Sequence, residues 1–141
     1  MIRNLTKMKL VSAAPFSAQT FSDRLRGMIG RKFTGFDAMI FPRCSSVHTF
    51  FMSFPLDLVF LSGEGRVLKT VPGARPWRPC FRCPGAKTVV ELPDGTLNRS
   101  DTTDGDQFDL NMAPDEETKK VWDEIYKNNE VENIAVPMGE K

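Results

Sequence analysis

Little in this chain suits side-chain catalysis: it has one histidine, three cysteines and one tyrosine among 141 residues. A lone His48 excludes sites that need several imidazoles. An odd cysteine count argues against a disulfide framework and suits a reducing compartment. No apolar run approaches the ~18 residues that span a bilayer. The opening Met1 to Lys7 is basic, but Met8 to Ala14 is too short and polar for a secretory core, so a cytoplasmic chain is expected. There is no run of Lys and Arg and no interleaved aromatic stripe, so nucleic-acid binding is not expected.

What remains is globular. The chain is 40% hydrophobic and 26% charged, with eleven phenylalanines, which fits one domain with a real core. The net charge of +1 is unevenly spread. Residues 1–35 hold seven basic and one acidic residue, residues 36–90 seven and three, and residues 91–141 five and fourteen. Either a basic surface serves an anionic partner, or the two ends lie together and compensate. The second is the simpler expectation.

Met8 to Val11 reads as a short strand. A helix is expected after Pro15, capped by Ser17, with Phe21, Leu25, Met28 and Ile29 at helical spacing and Gly30 as a stop. Strands follow at Ala38 to Phe41, Ser46 to Met52, Leu56 to Leu61, Arg66 to Val71, Thr88 to Leu92 and Gln107 to Leu110. Ser62-Gly63-Glu64-Gly65 marks a hairpin. Residues 72–86 carry four prolines and two glycines and read as a long loop outside any sheet ladder. Asp115 to Tyr126 reads as a short amphipathic helix with Val121, Trp122 and Ile125 on one side.

Asp23-Arg24-Leu25-Arg26-Gly27-Met28, Ala38 to Phe41, His48-Thr49-Phe50-Phe51-Met52 and Pro55 to Phe60 resemble the bacterial and archaeal domain-of-unknown-function family 192. Val90-Glu91-Leu92-Pro93-Asp94-Gly95-Thr96 and Gly105-Asp106 are similar to its closing motifs, so the resemblance covers roughly residues 8–112. Where the family usually has tryptophan-methionine-lysine-asparagine, this chain has Phe51-Met52-Ser53-Phe54, similar to a subgroup with a Cys-x3-His-Thr-Phe-Phe-Met pattern. The resemblance implies a compact, mainly β fold, an antiparallel barrel or sandwich with a helix packed on it. It implies no established reaction. Many relatives look secreted.

The sharpest chemical candidate is a zinc site from Cys44, His48, Cys80 and Cys83. A Cys-x2-Cys turn is a natural chelating knuckle. An extended 44–48 segment, however, would hold Cys44 and His48 about 13 Å apart, too far for one ion. They would share it only if Ser45-Ser46 turned. Such a site would be structural, or hydrolytic if a coordination position stayed open. The alternatives are ordinary strand residues, a redox Cys80/Cys83 pair lacking a helix to lower a thiol pKa, and a cysteine nucleophile with His48 as base.

Asp57 interrupts an apolar run. It either joins His48 and Met52 at a ligand, or accepts backbone N–H groups or pairs with an arginine. Glu91 raises the same question and is expected to point outward from an antiparallel strand. Trp77, in the long loop, is either an exposed stacking platform or a cover for the domain's open end. The acidic cluster Asp101, Asp104, Asp106 and Asp109 lacks the spacing of a calcium loop.

The sequence therefore points to one β domain over residues 1–112 and a helical tail over 113–141. The leading function is non-catalytic binding of an unknown protein or small-molecule ligand, with His48, Met52, Asp57 and Trp77 as candidate contacts. No cofactor is required, and zinc is the one candidate ion.

Overall fold

The computed structural model describes residues 1–18, 33, 35–50 and 52–110. The helix expected after Pro15 and the tail helix expected over 115–126 lie outside the described residues. Within them the chain is mainly β. The strands are β1 (Ile2–Asn4), β2 (Lys9–Ser12), β3 (Pro15–Ser17), β4 (Ala38–Pro42), β5 (Ser46–Val47), β6 (Leu56–Leu61), β7 (Val67–Ala74), β8 (Phe81–Arg82), β9 (Thr88–Pro93) and β10 (Phe108–Asp109). One short helix, α1 (Thr96–Arg99), precedes β10.

The strands form a five-stranded sheet in the order β3-β4-β9-β6-β7, a three-stranded sheet β10-β1-β2 and a two-stranded ladder β5-β8. None of these orders closes on itself, so the described residues form open sheets and not the barrel that was one expectation. Pairing is antiparallel throughout, except that β3 runs parallel to β4.

The long sheet is buried on both faces because β6 and β9 are nearly continuous apolar runs. All six residues of β6 are buried. Alternation sends Leu56, Leu58 and Phe60 to one face, with Met39, Phe41 and Val89. Val59 and Leu61 go to the other, with Ile40, Val90 and Leu92. Ile2, Val11, Leu97 and Phe108 cover this second face, so the three-stranded sheet and α1 lie over it as a second layer. Asp37 joins the layers near the turn between β2 and β3, accepting the Ser12 hydroxyl and the N–H groups of Ala13 and Ala14.

Three expectations change at the margins of this sheet. The β6–β7 hairpin forms around Ser62 to Gly65, where Gly65 takes φ +83°, and an added Cβ would meet the Phe108 carbonyl at 2.8 Å. But β7 runs on to Ala74, through Pro72 and Gly73, which were expected to lie in a loop. Proline is tolerated there because β7 is an edge strand, and among the described residues no further strand pairs with it at Pro72. Phe81-Arg82, also within the expected loop, pairs with β5. The expected strand Ser46 to Met52 ends at Val47, for a reason that lies in Thr49.

Asp57 holds the hairpin to the second layer. Leu56 pairs with Ala74 and Leu58 with Val71, so Pro72 and Gly73 together oppose Asp57 in a β-bulge. Gly73 takes φ +59°, which glycine adopts at little cost. Its N–H donates to Asp57 Oδ1 at 2.9 Å, and the Leu97 N–H at the start of α1 donates to Oδ2 at 2.8 Å. No side chain of α1's own N-cap, Gly95, fills that role, so a residue 40 positions away caps the helix. Asp57→Asn leaves one acceptor oxygen and turns an amide N–H toward a backbone N–H. Urea denaturation of that variant should show a loss of about 1–3 kcal/mol, from leaving one buried N–H unsatisfied.

Candidate functional site

Thr49 organises the most exposed aromatic surface. Its N–H donates to the Arg78 carbonyl at 3.0 Å, and its carbonyl accepts the N–H groups of Trp77 at 2.8 Å and Met52 at 3.2 Å. Its hydroxyl donates to the Arg75 carbonyl at 2.6 Å and accepts the Arg78 N–H at 2.9 Å. Every polar group of this buried residue is thus spent on its own turn and on the 75–78 loop. That is why the chain leaves the β ladder after Val47.

Trp77 sits at the tip of this clasp. It is 58% exposed and takes φ +61°. A left-handed backbone is costly for a bulky residue, by about 1 kcal/mol or more, and persists because the surrounding bonds over-determine it. On the other side of the clasp, the exposed His48 and Phe50 rings lie 5.5 Å apart, and the Phe50 N–H donates to His48 Nδ1 at 3.2 Å. Arg43, Arg75, Arg78 and Lys87, in the connecting segments, and Arg82 on β8 are all exposed. No acidic residue occurs from Gly65 through Val90.

The other proposed contacts fall elsewhere. Met52 is buried on the face of the long sheet that carries Met39 and Leu58, whereas Asp57 points to the opposite face, toward α1. The expected grouping of Asp57 with His48 and Met52 is therefore not formed, because the alternation of β6 turns Asp57 to the α1 face while Met52 packs on the other. Asp57 takes the structural alternative, accepting two backbone N–H groups.

The four candidate zinc ligands are not brought together either. Among the described residues, no three His, Cys, Asp or Glu side chains form a group able to hold a metal ion. Ser46 pairs with Arg82 and Val47 with Phe81, and the turn falls at Arg43, before Cys44, where φ is +53°. The chain bends at Ser45, but Ser46 and Val47 are already in β5, and the ladder register carries Cys44 toward residue 84 and His48 toward residue 80, at opposite ends. All three cysteines are free. The Cys44 thiol donates to the Ser46 carbonyl at 3.0 Å, and among the described residues no hydrogen bond joins a thiol to His48. The acidic cluster is likewise engaged by the protein itself. Asp104 accepts the N–H and hydroxyl of Thr70, and Asp106 accepts from Asn4, Lys7 and the Thr103 N–H. Burial alone would raise the Asp106 carboxyl, but those hydrogen bonds and the Lys7 charge hold it below the usual range.

Two residues of consequence were missed. Thr49 was read only as part of a strand. Glu91 was expected to face outward, but it is 3% exposed, on β9 between β4 and β6. The uninterrupted Val89-Val90-Glu91-Leu92 run was the available signal, since such runs mark strands covered on both faces. Burial pushes the Glu91 carboxyl up to about 8, and its Oε2 has no hydrogen-bond partner among the described residues.

Two outcomes test these assignments. Thr49→Val should lower stability by about 1–2 kcal/mol and speed chymotryptic cleavage after Trp77, followed by mass spectrometry. The folded protein holds the Glu91 proton up to about pH 8, while the unfolded chain releases it near 4.5. The stability this proton confers is complete below the lower value. It declines by up to about 1.4 kcal/mol per pH unit and is gone above the higher one. Urea melts at pH 5, 6.5 and 8 should show this decline in wild type and a flatter profile in Glu91→Gln. Identical slopes would show that Glu91 does not titrate in this window.

Comparison with known proteins agrees with this layout of sheets. The chain is 32% identical over 115 residues to a UPF0127 protein of Thermococcus sibiricus, covering 77% of this chain and 73% of that one. It is 30% identical over 128 residues to a UPF0127 protein of Thermococcus kodakarensis, covering 85% and 78%. A crystal structure of a protein of unknown function from Novosphingobium aromaticivorans shares the fold, with TM-score 0.59 and 24% identity over 68% of this chain and 74% of that chain. A Sinorhizobium meliloti protein does so with TM-score 0.60 and 22% identity, over 67% and 79%. The family DUF192, of uncharacterized ACR proteins, matches residues 6–110, and the chain belongs to it.

Proposed function

We propose that the protein is a non-catalytic binding module whose recognition surface is the Trp77 loop and the adjoining His48–Phe50 turn, and whose partner carries negative charge. The observation that carries this reading is Trp77 itself: exposed, and held in a left-handed backbone by the Thr49 clasp. Ordering costs are reduced when a contact residue is fixed before the partner arrives, and rigid aromatic side chains supply large contact areas. The exposed arginines around it, with no carboxylate in the same stretch of chain, favour an anionic partner and would raise its encounter rate.

The chain has two tryptophans, so Trp122→Phe leaves Trp77 as the only indole reporter. Titrating this variant with an octaglutamate peptide and with a heparin hexasaccharide should give a saturable change in Trp77 emission with at least one of them. The response should weaken as salt rises. Added to wild type, Trp77→Ala should reduce affinity about tenfold or more, the range of an aromatic contact residue. No response from either probe, or equal binding by Trp77→Ala, counts against this surface.

A further inference from the structure

The face of the long sheet turned away from the three-stranded layer has a polar group at its centre that the Trp77 surface does not use. Register places one row of side chains across it. Phe16 on β3 pairs with Met39 on β4, Met39 with Glu91 on β9, Glu91 with Leu58 on β6, and Leu58 with Val71 on β7. Directly paired residues on neighbouring strands point to the same face, about 4.8 Å apart. Glu91 is therefore flanked by a thioether and an isobutyl group, with a phenyl ring two strands away, about 10 Å. Its Oε2 is buried and has no hydrogen-bond partner among the described residues.

The layer above this row is aromatic and reaches solvent. Phe16 and Phe36 stand 5.7 Å apart, Phe36 and Phe33 5.7 Å, and Phe33 and Phe54 6.1 Å, in tilted and edge contacts. Phe16, Phe36 and Phe54 are only half-buried. Met39 and Met52 lie in the same layer, and unbranched thioethers adapt readily to a new neighbour. Lys69, on β7, also faces this layer, but its ammonium sits 5.8 Å over the Phe60 ring and donates to the Arg82 carbonyl. An acid with an orphaned oxygen, set among phenyl rings and thioethers, matches one ligand chemistry well. A primary ammonium satisfies the carboxylate by a charge-assisted hydrogen bond, is attracted by ring faces, and carries its tail into the apolar layer.

We propose that the Glu91 face is a binding site for a primary amine with an apolar tail, the carboxyl taking the ammonium and the phenylalanine layer taking the tail. The site goes beyond the Trp77 surface and does not depend on it. The amine arrives protonated, so Glu91 must give up its own proton to solvent to form the ion pair. Proton release thus distinguishes this ligand class from a neutral amide.

The test is isothermal titration of the folded protein with 2-phenylethylamine at pH 7, in two buffers of different ionisation enthalpy, with phenylacetamide as the neutral control. The expected result is saturable binding of the amine with close to one proton released per site, at least tenfold weaker in Glu91→Gln and unchanged in Trp77→Ala. The Glu91 carboxyl carbon in wild-type protein, observed by NMR, should also shift to its ionised position as amine is added. That measurement stands whether or not the variant folds. The proposal is overturned by no saturable amine binding at millimolar concentration, by undiminished binding in a folded Glu91→Gln, or by preferred binding of phenylacetamide without proton release. It is also overturned if the carboxyl carbon does not respond to the amine.

Discussion

The Asp57 carboxylate is the point on which the two layers meet. One oxygen takes the N–H of a bulged edge strand and the other takes an N–H in the first turn of a short helix. A four-residue helix is far too short to be stable alone, so its position is dictated by tertiary contacts. Asp57 supplies the polar half of those contacts and Leu97, buried in the same apolar cluster as Val59, Leu61 and Leu92, supplies the apolar half. The bulge that lets Gly73 reach the carboxylate also sets the path of β7 as it enters the Trp77 loop. A buried polar residue near the start of an apolar strand thereby positions both an edge strand and a helix.

The two acids of the long sheet invite comparison. Asp57 and Glu91 sit on adjacent central strands, both almost wholly buried, but on opposite faces. Asp57 meets backbone donors and is fully used. Glu91 meets apolar neighbours and keeps an orphaned oxygen. The first case is how a fold normally accommodates a buried carboxylate. The second carries a desolvation penalty that local packing does not offset, and groups of that kind concentrate where a protein engages something other than itself.

Much of the architecture was legible from residue order. The runs Leu56 to Leu61 and Thr88 to Leu92 announced buried strands, Ser62 to Gly65 announced a hairpin, and the motifs announced the family. What escaped depended on partners distant in the chain. Pro72 and Gly73 look like loop residues until an edge position and the Asp57 carboxylate are known. Thr49 looks like a strand residue until its bonds to Arg75, Trp77 and Arg78 are seen. The cysteines suggested a metal centre by spacing alone, but spacing does not say where a turn falls, and here it falls before Cys44. Glu91 escapes a one-sided alternation pattern because its strand is covered on both faces.

The pairing of β1 with β10 has a consequence for how the chain is made. Arg3 lies opposite Asp109, and Asn4 bonds to Thr102 and Asp106 across about a hundred residues. Contacts of such high sequence separation carry a large closure entropy and form late. On the ribosome, β1 emerges about a hundred residues before β10 and must wait unpaired on that edge until β10 has been synthesised. The three-stranded layer then closes over Ile2, Val11 and Phe108 only at the end. Until then Ile2, Val11 and Phe108 stay uncovered, the kind of transient apolar exposure that favours association between unfinished chains.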